Sequence, residues 1–363
     1  MSPSNPLSRP QPSKKAFTFI DLIDLADNFS LSSVSPNDTL VPFYLAPSRS
    51  SPVIGLLRPS IVAKLREEHE STQRHGGPAA WHFSSPFSTP DLFVSFASPT
   101  FTPAQRTAIM KNLCERWRDT GFQPNIIGPS KWRDELYPIY RDPFGAAYVK
   151  WDGWETRGEE NWAFDMERSA CALFGVVTYG VHMTVYREAV EGESEGVKIW
   201  VPTRAKTKPT WPGYLDNTVA GGITSGMSMF ESIVKEAMEE ASIEESIVRK
   251  YAKSVGGVSY FFMTSQGWLQ PEVEYVYDLK IPAGVEFEPK PSDGEVECFE
   301  LLSLDEVTSR MHAGLFKPNC AIVIIDFMIR HGHVTPDNEP DYMSILTRLH
   351  GRFEYDRWGM CSL

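Results

Sequence analysis

Between Asn217 and Ile243 the chain reads NTVAGGITSGMSMFESIVKEAMEEASI, a glycine-bearing turn that runs straight into a helix-forming stretch. At ~100° per residue, Phe230, Val234, Ala237 and Ala241 share one face, and Glu236, Glu239 and Glu240 point roughly the other way. Such a segment needs a packing surface for its apolar side and compensation for its crowded acids. Three carboxylates this close repel one another and weaken a helix unless a cation sits among them. Hard divalent ions take carboxylate oxygens, and Mg²⁺ is held by a few protein carboxylates while phosphate oxygens supply the rest. A solvated acidic face is the ordinary meaning of an EE pair by itself. The glycine loop ahead of the helix favours the metal site instead.

The segment resembles the Nudix box, G-x5-E-x7-R-E-U-x-E-E-x-G-U, where U is aliphatic. Gly221 matches the first glycine, Glu236 the acid after the arginine, Glu239 and Glu240 the acidic pair, and Ile243 the closing aliphatic residue. Met227 stands where the pattern has its first glutamate, Lys235 replaces the arginine and Ser242 replaces the last glycine. Lysine keeps the positive charge but lacks the planar fork that orients a carboxylate. Losing that glutamate and that arginine together reads as a paired change, one salt bridge exchanged for an apolar contact. The lead-in RAKTKPTWPGYLDNTVAGG (204–222) resembles one branch of the superfamily, which holds isopentenyl diphosphate isomerases and fungal and plant hydrolases related to thiamine diphosphate metabolism. FGVVTYGVHMTVY (174–186), DGEVECFELLSLDEV (293–307) and FKPNCAIVIIDFMIRHGHVTPDNEPDY (316–342) are similar to the latter group. VPFYLAP, IGLLRPSIV and WRDELYPIY look like the extra domain those proteins carry, so the likeness spans roughly residues 17–350.

The resemblance implies an Mg²⁺-dependent pyrophosphohydrolase, with Mn²⁺ as the alternative ion. The Gly221 carbonyl, Glu236, Glu239 and Glu240 are the expected metal ligands, with Glu236 and Glu239 also catalytic. Glu295, within SDGEVE, is the expected general base on a later loop; an acid that merely decorates a turn is an equal reading of it. The substrate side is expected to hold Arg204, Lys206, Lys208, Trp211 and Lys235. Trp211 either stacks on a substrate ring or fills the core. His182 lies on a strand alternation and reads as packed, while His331 and His333 at a helix end read as structural. The implied substrates are thiamine diphosphate and its oxo and oxy derivatives. Another nucleoside- or coenzyme-type diphosphate and a non-catalytic binding module are the alternatives. An isomerase needs a protonating cysteine near the box loop, and residues 217–222 contain none. Since the chain ends at Leu363, a stand-alone hydrolase without a kinase half is expected.

At 363 residues the chain exceeds one typical domain. Its 42% hydrophobic and 12% aromatic content is ample for globular cores. A net charge of −12 argues against nucleic acid or an anionic membrane as the main partner, leaving a small-molecule diphosphate. The run CAIVIIDFMI is too short to span a bilayer and contains Asp326. The cysteines (Cys114, Cys171, Cys298, Cys320 and Cys361) show no CxxC spacing, which fits a reducing compartment. A cytoplasmic location is therefore expected. The basic, Ser/Pro-rich start keeps a mitochondrial one open. Oligomeric state is left open.

The expected organisation is a disordered leader (1–15), an N-terminal α/β accessory domain (16–150), a Nudix-type α/β/α sandwich with a mixed sheet (151–350), and a tail (351–363). Helices are expected over 17–29, from Pro59, from Pro103 to Gly121, across the box, near 243–252, after Ser303 and over 318–332. Strands are expected at LVPFYLA (an edge strand, given Pro42), 92–97, 174–187, 197–205, 259–264, 272–281 and 297–303. Residues 71–91 read as loop.

Overall fold

The computed structural model describes residues 16–30, 40–85, 91–145, 161–189 and 196–353. The expected leader, the 150/151 boundary and most of the tail lie outside them. In chain order the elements are α1 (Phe19–Ala26), β1 (Val41–Tyr44), β2 (Val53–Leu57), α2 (Pro59–Arg74), β3 (Trp81–Phe83), β4 (Val94–Phe96), α3 (Pro103–Thr120), α4 (Pro124–Ile127), β5 (Leu136–Tyr140) and β6 (Trp162–Glu167). They continue with α5 (Cys171–Phe174), β7 (Thr178–Arg187), β8 (Lys198–Arg204), β9 (Val219–Gly222), α6 (Met229–Ala241), α7 (Glu245–Tyr251), β10 (Ala252–Met263), β11 (Leu269–Lys280), β12 (Val296–Ser303), α8 (Leu304–His312), α9 (Pro318–Arg330) and α10 (Tyr342–Leu349).

The N-terminal region carries a four-stranded sheet in the order β2-β1-β4-β3. The edge assignment of β1 is corrected, because β1 sits between two neighbours. Proline is tolerated there because Pro42 pairs only with Leu56 of β2, and the parallel ladder to β4 starts one residue later, at Phe43. Strand β3 falls in the stretch read as loop; its three residues are too few for a period-2 pattern. Helix α3 is bounded as expected by a Thr102–Gln105 capping box and by Gly121 at φ 74°. Its fully buried Trp117 stacks on Phe174 at 5.7 Å, in a core that also takes Phe43, Phe96 and Phe164.

The second body is the α/β fold expected from the resemblance. Its mixed six-stranded sheet runs β10-β11-β7-β8-β12, and β9 adds to β7. Only β11 and β7 pair in parallel. Strand β7 is shared in a way that creates the site. Its C-terminal end pairs with β8 at Tyr186 and Arg187, while its N-terminal half, Gly180 to Met183, pairs with β9. Strand β9 therefore pairs with β7 alone and keeps its other edge out of the ladder. Tyr179, Val181, Met183 and Val185 face α6. The opposite side packs on α9, whose residues from Pro318 to Met328 are all buried, which is why its sequence is apolar all round. Helix α1 joins this second core, with Arg348 of α10 bonding Asp24 and Asp27.

The box loop is braced by the N-terminal region. Ser225 N–H donates to the Leu136 carbonyl (2.8 Å) and the Thr224 hydroxyl to Glu135 (2.7 Å). A Cβ at Gly222 would overlap the Tyr137 hydroxyl, so only glycine lets β5 come this close. No helix among the described residues is long and apolar enough to cross a membrane.

Candidate active site

Helix α6 starts at Ser228, whose hydroxyl accepts from Glu231 N–H (3.1 Å). It ends at Ser242, which adopts the left-handed conformation (φ 53°) that a glycine takes most easily. The Ser242 hydroxyl donates to the Lys290 carbonyl at 3.0 Å, a local compensation for the departure from the box pattern.

The three box carboxylates are not equivalent. Glu240 is buried and accepts from Ala220 N–H at 3.0 Å. Glu236, one turn earlier, lies against Gly221, where a Cβ would overlap its carboxylate. Glu239 is half exposed and pairs with Lys235 at 3.0 Å, as helix geometry dictates for i and i+4. Burial pushes Glu240 well above the usual carboxylate range, against the Ala220 N–H, and the nearby charges of Asp216, Glu236 and Glu295 raise it further. Glu236 is raised chiefly by burial, with Lys235 pulling the other way. This is the electrostatic state of an acid pair suited to a bound cation.

The register of β9 settles which carbonyl accompanies them. Ile223 N–H donates to the Tyr179 carbonyl, and the next hydrogen-bonded pair along the antiparallel ladder is Val181 with Gly221. Gly221 therefore turns its carbonyl toward β7, and Ala220 and Gly222 turn theirs to the open edge. The expectation of a Gly221 carbonyl ligand is corrected: the Ala220 carbonyl shares the edge with Glu236 and Glu240. Among the described residues no group of three or more His, Cys, Asp or Glu side chains converges as a metal cage. Two carboxylates and a carbonyl are a donor set that fits Mg²⁺, which fills its remaining positions with water and phosphate oxygens.

The expected basic cluster is largely occupied. Arg204 pairs with buried Asp216, Lys208 with Glu295, and Lys206 with Glu297 at 3.9 Å. Against the cost of burial, Lys317 and Arg204 hold Asp216 well below its ordinary value. Glu295 is part exposed, and its backbone N–H donates to Asp293 Oδ1 at 2.8 Å. Of the expected substrate-side residues, Trp211 alone lines the cavity beside the site.

That cavity measures about 600 Å³ and reaches Ala220, Gly221 and Gly222 at one end. Its walls come from both bodies: Lys131, Arg133, Tyr137 and Arg168 on the N-terminal side, and Glu272, Glu274, Tyr260, His182 and Lys317 from the large sheet and the start of α9. Sequence reasoning missed most of these. His182 is buried as expected and hydrogen-bonds Asn217 (2.6 Å), yet it also faces the cavity. The signal for Glu272 and Glu274 was present: in QPEVEYVY two acids two residues apart share one face of a strand that is otherwise aromatic and β-branched. A cysteine does lie beside the box lead-in, brought there by α9: Cys320 bonds Asp216 through sulfur and accepts from Asn217 through its carbonyl (3.2 Å). It is fully buried, burial and Asp216 raise its thiol, and it does not line the cavity. It is thus a packed thiol rather than a protonating group.

Residues 180–319 match the NUDIX domain model. Nudix hydrolase 20, chloroplastic, of Arabidopsis thaliana is 34% identical over 305 residues, covering 83% of this chain and 71% of that protein. The uncharacterized protein YJR142W of Saccharomyces cerevisiae is 42% identical over 244 residues; the match takes in 64% of this chain and 65% of the yeast protein's length. The crystal structure of DR0079 from Deinococcus radiodurans overlaps with a TM-score of 0.34 at 19% identity, covering 52% of this chain and 97% of that one. The chain belongs to the Nudix hydrolase family, whose members act on diphosphate bonds and generally work with a divalent metal such as Mg²⁺ or Mn²⁺.

Proposed function

We propose that this chain is a divalent-metal-dependent pyrophosphohydrolase that cleaves thiamine diphosphate, or its oxo and oxy derivatives, to the monophosphate. The observation that carries the reading is the join between an acid-lined strand edge (Ala220, Glu236, Glu240) and a ring-sized cavity that begins at the same residues. Glu236, Glu240 and the Ala220 carbonyl would hold the ion. When bound, it supplies Lewis-acid activation of a phosphoryl oxygen and a water of lowered pKa. Glu295, oriented by Lys208, takes the proton of the entering water. Trp211 at the cavity wall stacks on the substrate ring. Lys235 pairs with Glu236 and Glu239 and tempers their repulsion. The thiamine assignment is supported by the likeness of residues 174–186, 293–307 and 316–342 to that subgroup. A reducing, cytoplasmic setting belongs to the same proposal and is supported by the free thiols of Cys114, Cys171, Cys298 and Cys320.

The test is a phosphate-release screen with Mg²⁺ over thiamine diphosphate, its oxidised forms, nucleoside diphosphate sugars and coenzyme diphosphates. The highest kcat/KM is expected within the thiamine group. A nucleotide substrate that outruns it replaces the substrate assignment, and no cleavage of any diphosphate establishes a binding module instead.

A further inference from the structure

The far wall of the cavity gathers two buried carboxylates, Glu272 and Glu274, with few close donors around their outer oxygens. Across the sheet, Glu274 neighbours Gly180 and Gly180 neighbours Gly222. Both glycines leave space that other residues enter: a Cβ on Gly180 would overlap Glu274 Oε2, and one on Gly222 would overlap the Tyr137 hydroxyl. The Tyr260 hydroxyl contacts Glu272 Oε2 and Glu274 Oε1 (2.9 Å), and it accepts from Asn319 Nδ2 at 3.1 Å. A phenol has one proton to donate, so it satisfies one of the two carboxylates. Glu274 Oε2 is buried with no close hydrogen-bond donor; its partner is the His182 imidazole, whose Nε2 lies 3.5 Å away in a long ion pair that, against burial, raises the histidine. Glu272 Oε1 has the Thr178 hydroxyl at the limit of contact, 3.5 Å. The Tyr137 hydroxyl, on a side chain 5% exposed, has no hydrogen bond among the described residues.

The electrostatics follow the same pattern. Burial and the neighbouring Glu274 raise Glu272, whereas His182 holds Glu274 below its ordinary value in spite of burial. Of the cations on these walls, Arg168 is bound by Glu135 (2.8 Å), and Lys317 is shared among Asp216, Glu272 and Glu274. Trp268 and Phe262 add flat apolar surface. A buried oxygen left without a donor is costly, and a ligand that brings one recovers that cost on binding.

We propose that Glu272, Glu274 and Tyr137 are specificity-determining residues, selecting a flat nitrogen heterocycle that presents N–H donors over a diphosphate whose other end is aliphatic. The inference rests on the pyrophosphohydrolase reading for its substrate but makes a separate claim about recognition. Two measurements keep the two apart. Calorimetry with unphosphorylated thiamine, an aminopyrimidine that cannot use the metal edge, reads recognition alone. The ratio of kcat/KM for thiamine diphosphate over isopentenyl diphosphate reads it in turnover.

Glu274→Gln, Glu272→Gln and Tyr137→Phe preserve shape, and each is expected to weaken thiamine binding roughly 10- to 100-fold for the acids and several-fold for the phenol. The turnover ratio should fall in parallel, through KM more than kcat. Thiamine affinity equal to wild type in all three variants, at unchanged Tm, overturns the proposal. So does a wild-type protein that binds thiamine no better than it binds benzyl alcohol. If wild type cleaves no diphosphate yet binds thiamine in a Glu274-dependent way, the hydrolase reading fails and the recognition site stands.

Discussion

Glu240→Gln is expected to abolish most turnover while making the metal-free protein more stable. Glu240 is the most buried of the three box acids, bonded to the Ala220 N–H at the strand edge. Losing one anionic ligand removes several kcal/mol of transition-state stabilisation, or roughly a 10³-fold fall in kcat. The stability effect has the opposite sign, and linkage explains why. Burial raises the folded-state pKa of Glu240 above its unfolded value, so the folded protein binds this proton more tightly than the unfolded chain does. Its contribution is therefore most favourable at low pH and is lost as pH rises from the unfolded pKa through the raised folded one. Glutamine cannot ionise and escapes that loss. In chelator at pH 8 the variant should melt above wild type, and the gap should close on going to pH 4. An inactive variant that melts well below wild type at pH 8 would mean that Glu240 is structural.

Gly221→Ala is the second large effect. A Cβ there overlaps the Cγ, Cδ and Oε2 atoms of Glu236, so the carboxylate has to swing away from the edge. Displacing a catalytic group by an ångström costs on the order of 10²-fold in rate. The fall should appear in kcat and in the Mg²⁺ concentration giving half-maximal rate, while KM for the diphosphate at saturating metal changes less. Near-wild-type metal dependence would show that Glu236 takes no part in the edge. The requirement for glycine at this position is thus a requirement for room beside Glu236; its carbonyl serves the ladder to β7.

How far the chain could be read from its residues differs between local and long-range features. The capped helix α3, the box helix and the buried α9 follow from spacing, caps and composition that act within a few turns. The box acids were legible for the same reason, since one short segment carries them all. The choice between the Ala220 and Gly221 carbonyls was not, because it depends on which residues of β9 hydrogen-bond to β7, a fact of register. The central position of β1 was hidden by Pro42, whose missing N–H is harmless where the second ladder begins one residue on. The cavity wall is the extreme case. Tyr137, His182, Tyr260, Glu272, Glu274 and Asn319 lie on five elements, and no local pattern joins them. The basic residues of RAKTK show the converse: a sequence cluster whose charges are spent on Asp216, Glu295 and Glu297.

The central claim is that the strand edge at Ala220, Glu236 and Glu240 holds the divalent ion that diphosphate hydrolysis uses. Titration of Mn²⁺ into the metal-free protein, followed by the electron paramagnetic resonance signal of the free ion, tests it most directly. Saturable binding that tightens when a non-hydrolysable diphosphate is present, and that is lost in a Glu236→Gln/Glu240→Gln double variant, is the predicted result. Equal Mn²⁺ binding in wild type and double variant would contradict it.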